Sequence, residues 1–271
     1  MQRTRLFTGA HALCMGIASS SLAFYSFEAL DDSYPVSTSV THMAVVFTLT
    51  VIAYIWPTLY GSAPRVHPSL LKAPGTFLIG FVAAIIAWAY GEFSLAFTWQ
   101  LLLAGAITVL YYATIRIGGN EIRGIRSIAG LKNFALATAW TLATVPAEVI
   151  LINTTIVLQR FLFILILSLC VDLRDLQQDR SSGISTLIGL FGFNKSKFIL
   201  LILCTCLGTL SFQVSVGNPT EAYRTLHSLS AALLMLTILL LRDDTQPSTY
   251  TLMFDGHLVA FSLALVLTIQ S

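Results

Sequence analysis

Nine stretches of the chain are continuously apolar, at about 6–26, 40–59, 75–91, 94–115, 133–150, 153–171, 197–216, 225–241 and 250–270, and none holds more than one charged side chain. Nothing else in the sequence constrains the fold as strongly. About 20 apolar residues are what a helix needs to cross the hydrocarbon of a bilayer. Uninterrupted apolarity in lipid means helix, because an open strand edge would leave its backbone groups unsatisfied. The charge count points the same way: 15 Lys and Arg and 13 Asp and Glu in 271 residues, where a soluble domain has about a quarter of its residues charged. So few charges cannot coat a water-facing surface of this size. A net charge of +2 also supplies no field for a polyphosphate strand, which excludes a nucleic-acid partner. The polar residues collect in short segments between the runs, with no linker and no repeat. The chain therefore reads as all-α, a polytopic membrane protein of about nine transmembrane helices and one domain spanning 1–271, with membrane lipid as its surroundings.

Cations favour the cytoplasmic side of such proteins. With the N-terminus placed in the cytoplasm, thirteen of the fifteen Lys and Arg fall inside, and only Arg160 and Arg224 fall outside or in the outer half of a span. The first outer loop carries Glu28, Asp31 and Asp32 and no cation. The partition predicts nine spans in an inner or plasma membrane, N-terminus cytoplasmic and C-terminus outside. The first run, after Arg3 and Arg5, also has features of a cleaved signal peptide, although His11 and Cys14 interrupt its apolar core. Cys14, Cys170, Cys204 and Cys206 all lie in apolar runs and read as small buried residues.

Three inner segments, about 60–74, 116–132 and 172–196, are longer and more polar than the rest. Ionisable groups gathered at the mouth of a membrane bundle mark function. The third segment opens with Asp172-Leu173-Arg174-Asp175-Leu176-Gln177-Gln178-Asp179-Arg180. On a helix, offsets of 0, 3 and 7 keep three carboxylates within about 60° of one another. Asp172, Asp175 and Asp179 then form an acidic stripe at a helix end that already carries partial negative charge. Arg174 and Arg180 fall elsewhere on the wheel and compensate only in part. A hard divalent cation suits such oxygens, and Mg²⁺ is usually held by one or two carboxylates plus substrate phosphates. A charged helix end that merely reaches into the headgroups would show the same residues.

The second segment brings the opposite charge. Arg116, Arg123, Arg126 and Lys132 are interspersed with Gly118, Gly119, Gly124 and Gly130, and Tyr111 and Tyr112 precede them. Arginine forks, with backbone brought close at glycine, suit a diphosphate, while the inside bias of cations would place them here without any site.

These residues carry a resemblance. An acidic motif after the sixth span, the run Asp172 to Arg180 with Gly183 and Thr186, and the closing Thr186-Leu-Ile-Gly-Leu-Phe-Gly192 resemble the UbiA superfamily of intramembrane prenyltransferases. The stretch from Tyr111 to Trp140, with Gly130-Leu131-Lys132, is similar to a divergent branch of it. The resemblance implies a helical bundle around a central cavity open to the inner leaflet. It implies Mg²⁺ held by Asp172, Asp175 and Asp179, with Arg116 or Arg123 on the diphosphate of an isoprenoid donor and a lipophilic acceptor for the prenyl group. The first aspartate-rich motif of the family has no counterpart, since residues 53–67 contain no acid. Arg65, His67 or Lys72 could set positive charge against the phosphate in its place. Two functions are thus expected to compete: a prenyltransferase with one metal cluster, and a catalytically inactive relative that binds lipid or scaffolds a partner.

Overall fold

A computed structural model describes residues 94–112, 114–117, 120–125, 128–176, 179, 186–213, 221–242, 245, 249–250, 253–254 and 256–261, together with 45, 46 and 50. The first and third apolar runs, most of the second, and the acid-free segment 53–67 lie outside the described residues, as do Arg65, Arg126 and Arg180.

Helix α1 (Leu95–Tyr112) begins where Ser94 accepts the backbone N–H of Phe97 through its hydroxyl at 3.2 Å. Its end feeds a two-stranded antiparallel ladder, β1 (Thr114–Ile117) and β2 (Asn120–Arg123). Helices α2 (Leu131–Thr144), α3 (Ala147–Ile152), α4 (Thr154–Arg174), α5 (Leu187–Phe191), α6 (Phe193–Gln213) and α7 (Glu221–Leu240) follow. The described residues between 249 and 261 are helical too.

The helical reading of the runs from 94 to 241 stands, with one addition and one refinement. The addition is the hairpin. Thr114-Ile115-Arg116-Ile117 and Asn120-Glu121-Ile122-Arg123 alternate in polarity and are rich in β-branched residues, a pattern that favours strands. Gly118 and Gly119 between them are the residue type a two-residue hairpin loop demands. The refinement is a break in the 133–150 run at Val145 and Pro146. Pro146 has no N–H to give the carbonyl of Leu142, four residues earlier. The buried Gln100 of α1 supplies the donor instead, its side-chain amide reaching the carbonyls of both Leu142 and Val145.

Helix α4 is the axis of the described part. Of its apolar window 72% is buried, against 28% for α6, and these two helices are long and apolar enough to cross a bilayer. Phe163, Ile166, Cys170 and Leu173 of α4 pack with Ala137 and Trp140 of α2, Leu200 and Leu207 of α6, Leu234 and Ile238 of α7, and Phe254 and Leu258. Outward, Trp99, Leu151, Phe198, Phe212 and Leu240 are largely exposed. Apolar surface that wide is stable only against another apolar phase, which is the surface of an integral membrane protein. Lys197 agrees: it reaches along its helix to donate to the carbonyls of Leu239 and Leu241 at 2.7 and 2.8 Å, satisfying the end of α7.

Candidate functional site

The last turn of α4 and the first turn of α2 meet at one end of the bundle, and most of the charge assigned a place by the structure collects there. Gly130, at φ 78°, turns the chain into α2, a left-handed conformation that only glycine adopts without strain. Lys132 follows within the first turn. Asp172 sits one turn above Ser168 on the inner face of α4 and is 5% exposed. The Lys132 ammonium stands 2.7 Å from Asp172 Oδ1 and 4.0 Å from Asp179 Oδ2. Each charge opposes the dipole of its own helix, a cation at an N-terminus and an anion at a C-terminus, and each is matched by the charge on the other helix.

The three carboxylates do not act as one stripe. At 100° per residue Asp179 falls about 20° from Asp172, whereas Asp175 is about 60° away. Asp175 also occupies the C-cap of α4. It pairs with its neighbour Arg174 through two bonds, Nε to Oδ1 at 2.7 Å and Nη2 to Oδ2 at 2.9 Å. The helical path then resumes, with the Asp179 N–H donating to the Asp175 carbonyl at 2.8 Å. Two acids therefore face Lys132 and the third faces Arg174.

Beside Asp172 lies Asn133, which is 2% exposed. Its amide donates to Ser168 Oγ at 3.4 Å, and Ser168 in turn donates to the Leu165 carbonyl at 2.9 Å. Two oxygens of this cluster are buried with no hydrogen-bond partner: Asp172 Oδ2 and Asn133 Oδ1. Both can only accept. A buried carboxylate oxygen left open in this way is a natural ligand for a hard cation. Lys132 balances one of the two carboxylates it faces. Among the described residues no three His, Cys, Asp or Glu side chains gather around one metal position, so a divalent ion held by Asp172 and Asp179 would have to draw its remaining oxygens from a bound phosphate.

The remaining residues singled out by sequence divide into two groups. Tyr112 closes α1, and the hairpin after it belongs to the same end of the bundle because it joins α1 to the start of α2. Its register sets Arg116 opposite Glu121 and Arg123 opposite Thr114. Arg65, Arg126 and Arg180 lie outside the described residues. Asn133 and Ser168 carry no motif. The signal for them was a lone amide next to Lys132, and a hydroxyl one helical turn before Asp172.

At the opposite end of α4 a second polar group is buried. Gln159 bonds Ser211 Oγ at 3.0 Å and His227 Nδ1 at 2.8 Å, while Ser230 Oγ meets His257 Nε2 at 2.9 Å. His227 packs edge-on against Phe261 at 4.7 Å. These histidines bind helix to helix.

The fold has relatives among solved structures. A UbiA homologue from Archaeoglobus fulgidus bound to Cd²⁺ matches with a TM-score of 0.67 at 14% identity, over 98% of this chain and 99% of that one. The structure of that homologue bound to GPP and Mg²⁺ matches at 0.65 and 13% identity, with the same coverage. A structure of digeranylgeranylglyceryl phosphate synthase in membranes matches at 0.57 and 14% identity, over 98% of this chain and 97% of that one. No protein-family model matches the sequence, and no curated protein matches it.

Proposed function

We propose that this chain, which has the UbiA fold, is an integral membrane prenyltransferase that moves a prenyl group from an isoprenoid diphosphate to a lipophilic acceptor. The observation that carries the reading is the acid pair of buried Asp172 and half-buried Asp179, with an unsatisfied oxygen on Asp172, at the bundle end that also receives the basic hairpin. The fold is that of a homologue solved with GPP and Mg²⁺. In the reaction the bond between the allylic carbon and the diphosphate oxygen breaks, and its electron pair leaves with the diphosphate. The allylic cation is captured by an electron-rich atom of the acceptor, which then loses a proton.

Charge develops on the leaving diphosphate, so the protein lowers the barrier by holding positive groups where that charge appears. Arg116, Arg123, Arg126, Arg180, Arg65 and Lys132 are the basic residues proposed for this task, with Tyr112 at the edge of the site. Mg²⁺ held by Asp172 and Asp179 would neutralise phosphate charge on departure. The apolar side chains of α4 below Asp172, including Leu169 and Leu165, keep water from the cation. The orientation, with the N-terminus cytoplasmic and this end of the bundle inside, is part of the proposal and follows from the distribution of cations.

The test uses protein in lipid nanodiscs with Mg²⁺ and labelled isoprenoid diphosphates of graded chain length, scored for diphosphate release and for label in lipid. Asp172→Asn is expected to lower turnover about 10²-fold, the scale of losing one electrostatic stabiliser. Absence of diphosphate release from every donor would overturn the reading. One observation favours the alternative, an inactive lipid-binding or scaffolding relative: Lys132 already neutralises part of the acid pair. That alternative expects a co-purifying lipid whose retention is indifferent to chelator.

A further inference from the structure

The acid pair already holds a cation of its own. The Lys132 ammonium sits 2.7 Å from Asp172 Oδ1 and 4.0 Å from Asp179 Oδ2, between the two carboxylates a metal would use. The ammonium cancels one of the two carboxylate charges it faces, which weakens their pull on a free divalent ion. Yet Asp172 Oδ2 remains buried outside the ion pair, with no hydrogen bond of its own. An ion pair built only for stability would satisfy that oxygen too, because a buried acceptor left unpaired is costly. Lys132 also stands near the rim, its side chain 13% exposed, on a flexible four-carbon stem that lets the ammonium swing without moving α2.

Resting on the transferase reading, we infer that Lys132 is a resident counter-ion that makes divalent-cation binding conditional on a diphosphate. Without diphosphate the ammonium holds the acids and the divalent ion is excluded. An arriving diphosphate offers Lys132 a stronger anion, drawing it off Asp172. The divalent ion then takes Asp172 and Asp179 on one side and phosphate oxygens on the other. The device prevents a bare metal site from forming at the membrane surface. It also supplies from within the chain some of the positive charge that a second metal cluster would bring, in a sequence whose 53–67 segment holds no acid.

The experiment titrates Mn²⁺, a spectroscopic substitute for Mg²⁺, into the full chain in nanodiscs and reads bound ion by electron paramagnetic resonance. Wild type is expected to bind Mn²⁺ at least tenfold more tightly with inorganic pyrophosphate bound to the protein than without. Lys132→Met is expected to bind Mn²⁺ at least tenfold more tightly than wild type when no pyrophosphate is present. Adding Asp179→Asn to that variant should reverse most of the gain. Lys132→Gln, which keeps a donor for Asp172 but no charge, gives the same readout if the methionine variant does not fold. Equal Mn²⁺ affinity in wild type and in the folded charge-removal variant would overturn the inference, as would a wild type indifferent to pyrophosphate. The variant arm contains no isoprenoid or diphosphate, so it succeeds or fails separately from prenyl transfer. Turnover with no change in Mn²⁺ affinity sinks the inference alone, and a gain in affinity with no turnover sinks the transferase reading alone.

Discussion

Asp172 and Asp175 are the same residue type three positions apart, and the structure gives them unequal work. Asp172 is buried and pairs with a lysine forty positions away in sequence, while the Asp175 side chain is 34% exposed and pairs with its chain neighbour. Removing one partner of a buried pair leaves an uncompensated charge at a cost of about 3–5 kcal/mol, whereas exposed pairs contribute about 0–1 kcal/mol. Lys132→Met without divalent ion is therefore expected to lower stability by about 3 kcal/mol, measured by thermal or denaturant unfolding in nanodiscs. Asp175→Asn is expected to change stability by less than about 1 kcal/mol and turnover by less than tenfold. An Asp175→Asn variant as inactive as Asp172→Asn would show that substrate binding pulls Asp175 away from Arg174 and into the site.

Among the elements, the α2–α3 break makes the sharpest demand on a single distant side chain. Gln100 donates to the two carbonyls that Pro146 and the end of α2 leave open, and Gln100→Leu strands both in an apolar surrounding. The expected loss is about 2–4 kcal/mol, read as a lower unfolding temperature and as faster amide exchange confined to 139–152. Gly130→Ala is expected to cost about 1–2 kcal/mol for conformation alone. The added Cβ would meet only Leu187, at 3.6 Å, so the loss comes from φ and not from crowding. What the sequence made legible follows the same division. Spans from 94 to 241 were readable because lipid forces each to be apolar along its whole length, and Asp172 with Asp179 because a separation of seven returns to one helix face. Lys132 as their partner was not readable, since the inside bias of cations puts lysines in such loops with or without a site. Asn133 was hidden for a related reason: one amide in an apolar run gives no hint of which oxygen it faces. The hairpin was missed because eight alternating residues inside a glycine-rich basic loop resemble any polar connection.

For the molecule as a whole, α4 joins two polar ends through an apolar middle. Asp172 marks one end; Gln159, with Ser211 and His227, marks the other, and Phe163, Ile164, Ile166, Leu167 and Leu169 are buried between. The polar group around Gln159 ties α4 to α6 and α7, while the acid pair ties it to α2. Helix contacts in lipid draw little from the hydrophobic effect, because the tails are as apolar as the side chains. Packing and these hydrogen-bonded ends must therefore carry the fold. Since the resident Lys132 already neutralises one carboxylate, the fold is expected not to depend on a divalent ion. A ligand at a hundred times its dissociation constant stabilises by about 2.7 kcal/mol, so a protein leaning on bound metal would lose several degrees of unfolding temperature on chelation. For wild type without diphosphate the expected shift on adding EDTA is under about 1 °C by that linkage, while EDTA in the presence of pyrophosphate should remove the pyrophosphate-dependent increment in full. Calorimetry of the nanodisc-embedded chain under the four conditions decides it: a large chelator effect without diphosphate would mean that a divalent ion, and not Lys132, holds the acids at rest.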